Sequence, residues 1–487
     1  MEQTALQTDF YELTMAQGYF LTRHNPQVIF DMFYRNNPYN GGYVIFAGLS
    51  DLIEKLLHFS FTPGDIAYLK ELNRFDPRFL EYLEGFKFTG TMYAMDEGTV
   101  VFPSEPLIRI ETNLIEAQLI EGMLLNTINF QSLIATKTSR MSIATNYGQI
   151  MEFGLRRAQG PNGALSASKA AFIGGASATS NTLAGKYYNI PVAGTMAHSW
   201  IMAFEDELKA FREFADIYPD NCILLIDTYD TLGSGIENAI IVGKELKKKG
   251  KRLGVRIDSG DLSYLSREIR KKLDEHDLTD ARIYVSNDLT EEIIEALVRD
   301  QVPIDSWGVG THLVTGGVQS SLNGVYKLSA KQASDGSFIP TMKISNSFEK
   351  ATNPGIKQVW RFYDSEHLAI ADLIALDDEN VETGMDIIFH HPANEADYFV
   401  LKAARQAYCK PMLVLQMKDG KPANKAKSIN ELQQAVRNSL STFHGSYKRM
   451  INPHIYKVSL SRKLKDLKMR LTIEGRQKAQ RNGHIIG

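Results

Sequence analysis

Between about residues 149 and 310 the chain alternates short apolar runs, each ending in polar residues, with longer amphipathic stretches, and this rhythm constrains its fold more than any other feature. The runs are residues 149–153, 190–194, 223–227, 253–257, 283–286 and 304–308. They begin roughly 20 to 40 residues apart, the spacing that a strand plus a crossover helix requires. Between them, residues 236–249 place apolar or small side chains at Ile236, Ala239, Ile240, Val242, Gly243 and Leu246 and close on Lys247-Lys248-Lys249-Gly250. That is a helix with a basic last turn and a glycine stop. Residues 264–273 and 290–299 read the same way, the second with Thr290 as N-cap and Ile293, Ile294, Leu297 and Val298 on one face. Repeated strand–helix alternation predicts a parallel sheet, and the number of units favours a closed or nearly closed α/β barrel over an open sheet.

In such a barrel the chemistry gathers at the C-terminal ends of the strands. Those positions carry Arg156 and Arg157, Thr195 and His198, Asp227 and Asp230, Arg256 with Asp258 and Asp261, Ser286-Asn287-Asp288, and Gly308-Val309-Gly310-Thr311. Guanidinium forks bind phosphate oxygens in pairs, and glycines let backbone N–H groups approach an anion, so a phosphorylated small molecule is the expected ligand. The competing reading of Arg156-Arg157 is a surface ion-pair feature. The four aspartates suit Mg2+ held through water, or sugar hydroxyls, because hard cations prefer oxygen. Helix capping is the alternative, which fits Asp261 well and fits Asp227 and Asp258 less, since each closes or directly follows its strand. His198 is either a packed histidine or a nucleophilic or acid–base group at the active mouth.

Other classes are excluded or disfavoured. No GxxxxGK[ST] occurs, and Gly233-Ser234-Gly235-Ile236-Glu237-Asn238-Ala239 has the wrong spacing for a dinucleotide fingerprint. The 54 basic and 57 acidic residues give a formal net charge of −3, which offers no case for nucleic acid. Residues 448–481 hold eleven Lys/Arg, either a polyanion-binding tail or, since they also carry Ile455, Val458, Leu460, Leu464, Leu467 and Leu471, a helix face or oligomer contact. Only Cys222 and Cys409 are present, so neither a disulfide framework nor a paired-cysteine metal site is available. Met1-Glu2-Gln3-Thr4-Ala5 lacks a secretory start, and no stretch approaches the ~18 apolar residues of a membrane span, so a cytoplasmic chain is expected.

Residues 1–140 lack the rhythm. Strands are expected at 41–48 and 88–94 and a helix at 114–134, an α+β domain. Residues 141–325 form the barrel core. Residues 326–487, with strands at 326–328, 359–362 and 412–417 and a helix at 429–440, are expected to complete the barrel and pack on the N-terminal domain.

Taken together these motifs resemble the nicotinate phosphoribosyltransferase family. The runs that carry the resemblance are Thr8-Asp9-Phe10-Tyr11-Glu12-Leu13-Thr14-Met15, Glu152-Phe153-Gly154-Leu155-Arg156-Arg157-Ala158-Gln159-Gly160, Gly194-Thr195-Met196-Ala197-His198-Ser199, Ile226-Asp227-Thr228-Tyr229-Asp230-Thr231, Gly254-Val255-Arg256-Ile257-Asp258-Ser259-Gly260-Asp261-Leu262, Gly310-Thr311 and Gly324-Val325-Tyr326-Lys327-Leu328. The resemblance implies an irregular α/β barrel and a homodimer with sites near the subunit interface. It implies transfer of a phosphoribosyl group from 5-phosphoribosyl 1-diphosphate to nicotinate with Mg2+, a salvage step toward NAD, driven by ATP through a phosphohistidine at His198. It nominates Arg156 and Asp258 as catalytic, Tyr11, Thr195 and Arg256 for nicotinate, and Arg157, Asp227, Gly310 and Thr311 for phosphoribosyl diphosphate. Asp258 and Asp261 would hold Mg2+ through water.

The rival activity is the same transfer to nicotinamide, whose enzyme places an acid after a Phe-x-Gly turn. Here that run reads Phe172-Ile173-Gly174-Gly175-Ala176-Ser177, and the absence of a carboxylate at Ala176 favours the acid substrate. Quinolinate, with a second carboxylate, would call for more basic residues. A non-catalytic protein that binds phosphoribosyl ligands is the alternative from another class.

Overall fold

The computed structural model describes residues 4–344, 352–391 and 397–481. Met1-Glu2-Gln3, on which the reading of the N-terminus partly rests, lies outside them. The chain divides into two units, residues 134–320 and residues 1–133 together with 321–487.

The first of these holds the expected parallel sheet. Its strands are β1 (Gln149–Glu152), β2 (Ala178–Thr179), β3 (Ile223–Leu225), β4 (Gly254–Ile257), β5 (Arg282–Asn287) and β6 (Ser306–Val309). All pair in parallel, in the order β2-β1-β6-β5-β4-β3. β1 comes first in the chain and pairs with β6, which comes last. An open sheet wound in one direction would keep those two at opposite edges. From β1 the ladder runs one way through β2 to the Thr179–Val192 bridge and the other way through β6, β5 and β4 to β3. This is chain order around a ring, the order of a singly wound barrel, and among the described residues no ladder joins Val192 to β3. Ile150, Leu224, Val255, Ile257, Ile283, Val285 and Val309 are all buried. At about 1.5–3 kcal/mol per fully buried aliphatic side chain, their burial stabilises the sheet.

The expected strand at 190–194 is reduced to the bridge at Val192, since Pro191 offers a carbonyl but no N–H to a ladder. β2, with two residues, is too short to leave a periodic signal. The helices are α1 (Gly160–Gly174), α2 (Ile236–Lys248), α3 (Leu262–Glu275) and α4 (Glu291–Arg299). α2 buries the same six residues that its periodicity selects. It ends as Lys247 and Gly250 announce: Gly250 takes φ 69°, its N–H bonds to the Lys247 carbonyl and the Lys251 N–H to that of Leu246. In α4, Thr290 caps and Ile294 is buried, but Ile293 is 43% exposed. It opens instead onto a small cavity of about 260 Å³ that Leu262, Leu289 and Leu297 also line.

The second unit is α+β and interleaves the two ends of the chain. In its seven-stranded antiparallel sheet, Gln27–Tyr34 lies between Gly324–Gln332 and Ile108–Asn113, and Thr91–Ala94 pairs with Val414–Lys418. A second sheet of six strands includes Lys357–Tyr363 and Ala369–Leu376, and Ile429–Ser441 is helical as expected. The strand expected over 41–48 is confined to Val44–Ile45, because Gly48 turns to φ 97° and starts Leu49–Leu57, with its N–H on the Glu97 carboxylate at 2.6 Å. The helix expected over 114–134 is two, Leu114–Leu119 and Glu121–Ala144. No helix among the described residues is long and apolar enough to cross a membrane.

Candidate active site

The register between β4 and β5 builds the centre of the site. Tyr284 pairs with Arg256 and Val285 with Ile257, so Ser286 continues the ladder abreast of Asp258. Residues two apart on a strand share a face, which puts Arg256 and Asp258 side by side at the end of β4. Arg256 Nε donates to Ser286 Oγ at 2.8 Å and a terminal N–H donates to Thr195 Oγ1 at 3.1 Å. Its other terminal nitrogen stands 3.4 Å from Asp258 Oδ1. The Arg256 side chain is 15% exposed and lies over the Phe153 ring, 5.6 Å from its centroid. A guanidinium has five N–H donors, and two are used in hydrogen bonds here, so an almost buried cation keeps donors for a ligand. Asp227, one strand further, accepts from the Asp258 N–H at 2.8 Å and from Ser259 Oγ at 2.6 Å through Oδ2, while its Oδ1 is buried without a partner among the described residues.

The end of β1 is organised by a residue the sequence reading did not single out. Glu152 is fully buried, and its carboxylate accepts from the Gly154 N–H, from Ser168 Oγ at 2.8 Å and from Thr179 Oγ1 at 2.5 Å. It thereby ties α1 and β2 to the turn Leu155–Arg157, which presents Arg156 and Arg157 to solvent. Neither arginine side chain hydrogen-bonds or ion-pairs with a described residue, so the surface ion-pair reading finds no acid there. Two glycines make this packing possible. A Cβ on Gly154 would collide with Val314, and one on Gly308 would meet the Phe153 ring at 2.8 Å. Glu152→Ala strands two buried donors, the Gly154 N–H and Thr179 Oγ1, each worth about 1–3 kcal/mol when unsatisfied, while Ser168 Oγ keeps the Ala164 carbonyl at 3.0 Å. A loss of about 3 kcal/mol or more is expected, read as a fall in Tm of roughly 6–12 °C, with Glu152→Gln falling between the two because its amide oxygen still accepts.

The remaining candidates fall at the other strand ends. His198 opens the short helix His198–Met202, half-buried, with Nδ1 3.1 Å from Thr228 Oγ1. Gly310 precedes Thr311, the first residue of Thr311–Val314. Asp261 caps α3 by accepting from the Tyr264 N–H at 3.0 Å, and Asp230 caps the following turn at Gly233. The glycines near Gly233 thus serve a helix entry: a Cβ on Gly235 would collide with the Ile226 carbonyl. Tyr11 belongs to the other unit, on Phe10–Leu21. It is 50% exposed, and partial burial together with Glu121, Glu12 and Asp9 pushes its phenol up to about 12. No group of three or more His, Cys, Asp or Glu suited to a metal occurs among the described residues.

One inference from the sequence changes. Ala176 is 1% exposed and stands before β2, at the end of the sheet opposite to Asp258 and Asp227. Its lack of charge therefore says nothing about a ligand at the C-terminal ends. The residues that leave β2 on that side are Ser180 and Asn181, and Asn181 is spent on capping Ala184 and on Ser168. Ser286 was named only as a strand-end residue, and Phe153 and Glu152 only within a family run, none with a role, because a half-buried aromatic, a serine and a strand-end glutamate carry no signal in spacing; only their neighbours across the sheet reveal their roles.

Three family descriptions match the chain: the nicotinate phosphoribosyltransferase N-terminal domain over residues 6–129, the nicotinate phosphoribosyltransferase family over 148–351 and its C-terminal domain over 356–468. The chain is 42% identical over 462 residues to nicotinate phosphoribosyltransferase of Bacillus subtilis, covering 94% of this chain and 93% of that protein. It is 38% identical over 522 residues to the enzyme of the same name from Caenorhabditis elegans, covering 94% and 92%. The crystal structure of human nicotinic acid phosphoribosyltransferase superposes with a TM-score of 0.83 at 29% identity, covering 95% of this chain and 99% of that one.

Proposed function

The chain belongs to the nicotinate phosphoribosyltransferase family, and from that premise we propose how its strand-end cluster moves a phosphoribosyl group from 5-phosphoribosyl 1-diphosphate to the ring nitrogen of nicotinate, leaving nicotinate mononucleotide and diphosphate. The observation that carries this reading is Arg256: an almost buried guanidinium over the Phe153 ring, with donors to spare. Nicotinate is flat and anionic. An aromatic face holds its ring and a cation its carboxylate, with Thr195 steadying the cation. The family resemblance alone assigns Tyr11 to nicotinate, as a second aromatic, and implies a homodimer.

Departure of diphosphate builds negative charge on the leaving group and positive charge on the ribose, so the rate rests on electrostatic stabilisation. Arg156, with Arg157 beside it, binds the diphosphate. Gly310 and Thr311 cradle a phosphate, and Asp258 orients ribose hydroxyls. Mg2+ when bound neutralises the departing diphosphate. The donors that fit it are Asp227 Oδ1, buried and unpartnered, and the Asp258 oxygen not engaged with Ser286. Asp261 has one oxygen committed to its cap and the other for water. His198 takes a phosphoryl group from ATP, and hydrolysis of the phosphohistidine drives the transfer in a salvage step toward NAD, carried out in the cytoplasm.

The test is to incubate the purified protein with 5-phosphoribosyl 1-diphosphate, Mg2+ and either nicotinate or nicotinamide, with and without ATP, and to quantify mononucleotide and ADP. Product from nicotinate, raised by ATP with matching ADP release, is expected. Product from nicotinamide alone would transfer the assignment to the amide, and product from neither would leave a phosphoribosyl-binding protein without turnover.

A further inference from the structure

We infer that Ser286 is a positioning residue that keeps the Arg256–Asp258 ion pair long and one-pronged, so that the cation keeps donors for the carboxylate of nicotinate; this rests on the assignment of those two residues above. Arg256 and Asp258 project from the same face of β4, two residues and roughly 6.5 Å apart along the strand. Opposite charges at that spacing close readily into a two-pronged ion pair, which would consume the donors that nicotinate needs. Here the ion pair stays long and one-pronged, with its nearest approach at 3.4 Å, and Ser286 Oγ bonds to both partners. It accepts from Arg256 Nε at 2.8 Å and donates to Asp258 Oδ1 at 2.7 Å.

The direction of both bonds is forced. A guanidinium can only donate and an ionised carboxylate can only accept, so the single hydroxyl proton goes to Asp258 and a lone pair receives Arg256. Ser286 is 4% exposed, and the β4–β5 register holds its Cα abreast of Asp258. Water is poorly placed to replace it. Serine is the smallest side chain that both accepts and donates there, and threonine keeps the hydroxyl in a strand-compatible form.

Nicotinate is titrated calorimetrically into wild type, S286A, S286T and the double variant S286A/D258N, with Tm measured for each. About tenfold weaker binding is expected for S286A, from Arg256 closing onto Asp258, and binding within about twofold of wild type for S286T. The decisive arm is the double variant. Removing the charge of Asp258 leaves Arg256 no anion to collapse on, so most of the lost affinity returns, which a merely structural role for the serine would not produce. S286A binding like wild type would overturn the inference, and so would a double variant weaker than S286A. A wild type that neither binds nor turns over nicotinate would sink the reading of the site itself, and the Ser286 inference with it.

Discussion

Replacing His198 with alanine is expected to lower ADP formation by roughly 10³-fold or more while slow, ATP-independent transfer to nicotinate continues. The two activities separate because they draw on different residues. In the proposed assignment the transfer falls to Arg256, Arg156 and the carboxylates at the ends of β3 and β4, and His198 hydrogen-bonds to none of them: its ring contacts Thr228, at 3.1 Å from Nδ1. Its other ring nitrogen has no partner among the described residues and is the natural acceptor of a phosphoryl group. Alanine at the first position of a five-residue helix disturbs no cap hydrogen bond of its side chain, so Tm should move little. The measurement is mononucleotide and ADP quantified in the same reaction, with and without ATP. An H198A protein that is still stimulated by ATP, with ADP released in step, would remove His198 from the coupling.

The second large effect is at Arg256. R256A is expected to lower kcat/KM for nicotinate by about 10²–10³, the equivalent of about 3–4 kcal/mol, because it removes a charge-assisted contact inside an almost dry site. The loss should fall mainly on nicotinate and much less on the KM for 5-phosphoribosyl 1-diphosphate, whose phosphates are assigned to Arg156, Arg157 and the Gly310–Thr311 turn. R256K should recover only part of it, since an ammonium reproduces neither the planar guanidinium fork over Phe153 nor the simultaneous bonds to Ser286 and Thr195. Discrimination between nicotinate and nicotinamide should shrink in parallel, because the amide has no charge to lose. A uniform fall in kcat with both KM values unchanged would instead place Arg256 on the leaving group.

Much of the parallel-sheet unit was legible from the linear chain because its information is local. α2 shows why. Apolar residues at helical spacing name the buried face, lysines name the last turn and Gly250 names the stop, and all of these act within a few residues of one another. The same locality explains the assignment of candidates to strand ends, since in a parallel sheet every apolar run points its polar end the same way. Where signals were short or depended on a partner, the reading stopped. Two-residue β2 has no period, Pro191 reduced an expected strand to a single bridge, and Ile293 opens onto a cavity that no pattern on its own helix foretells.

Strand–helix alternation, the residue types at the strand ends and the family were thus set by the amino-acid sequence alone, since each follows from contacts along the chain or from runs of residues in fixed order. The ring order, with first strand against last, the fully buried Glu152 beneath the arginine turn, the Phe153 ring under Arg256 and the serine between Arg256 and Asp258 were decided only in the tertiary structure. The Ala176 argument failed for the same reason: whether a residue faces a ligand depends on which end of its strand it occupies. The side-chain contacts among these rest on the register between strands that are not neighbours in the sequence, and in a sheet with a side-chain period of two, a shift of one residue would turn those side chains to the other face.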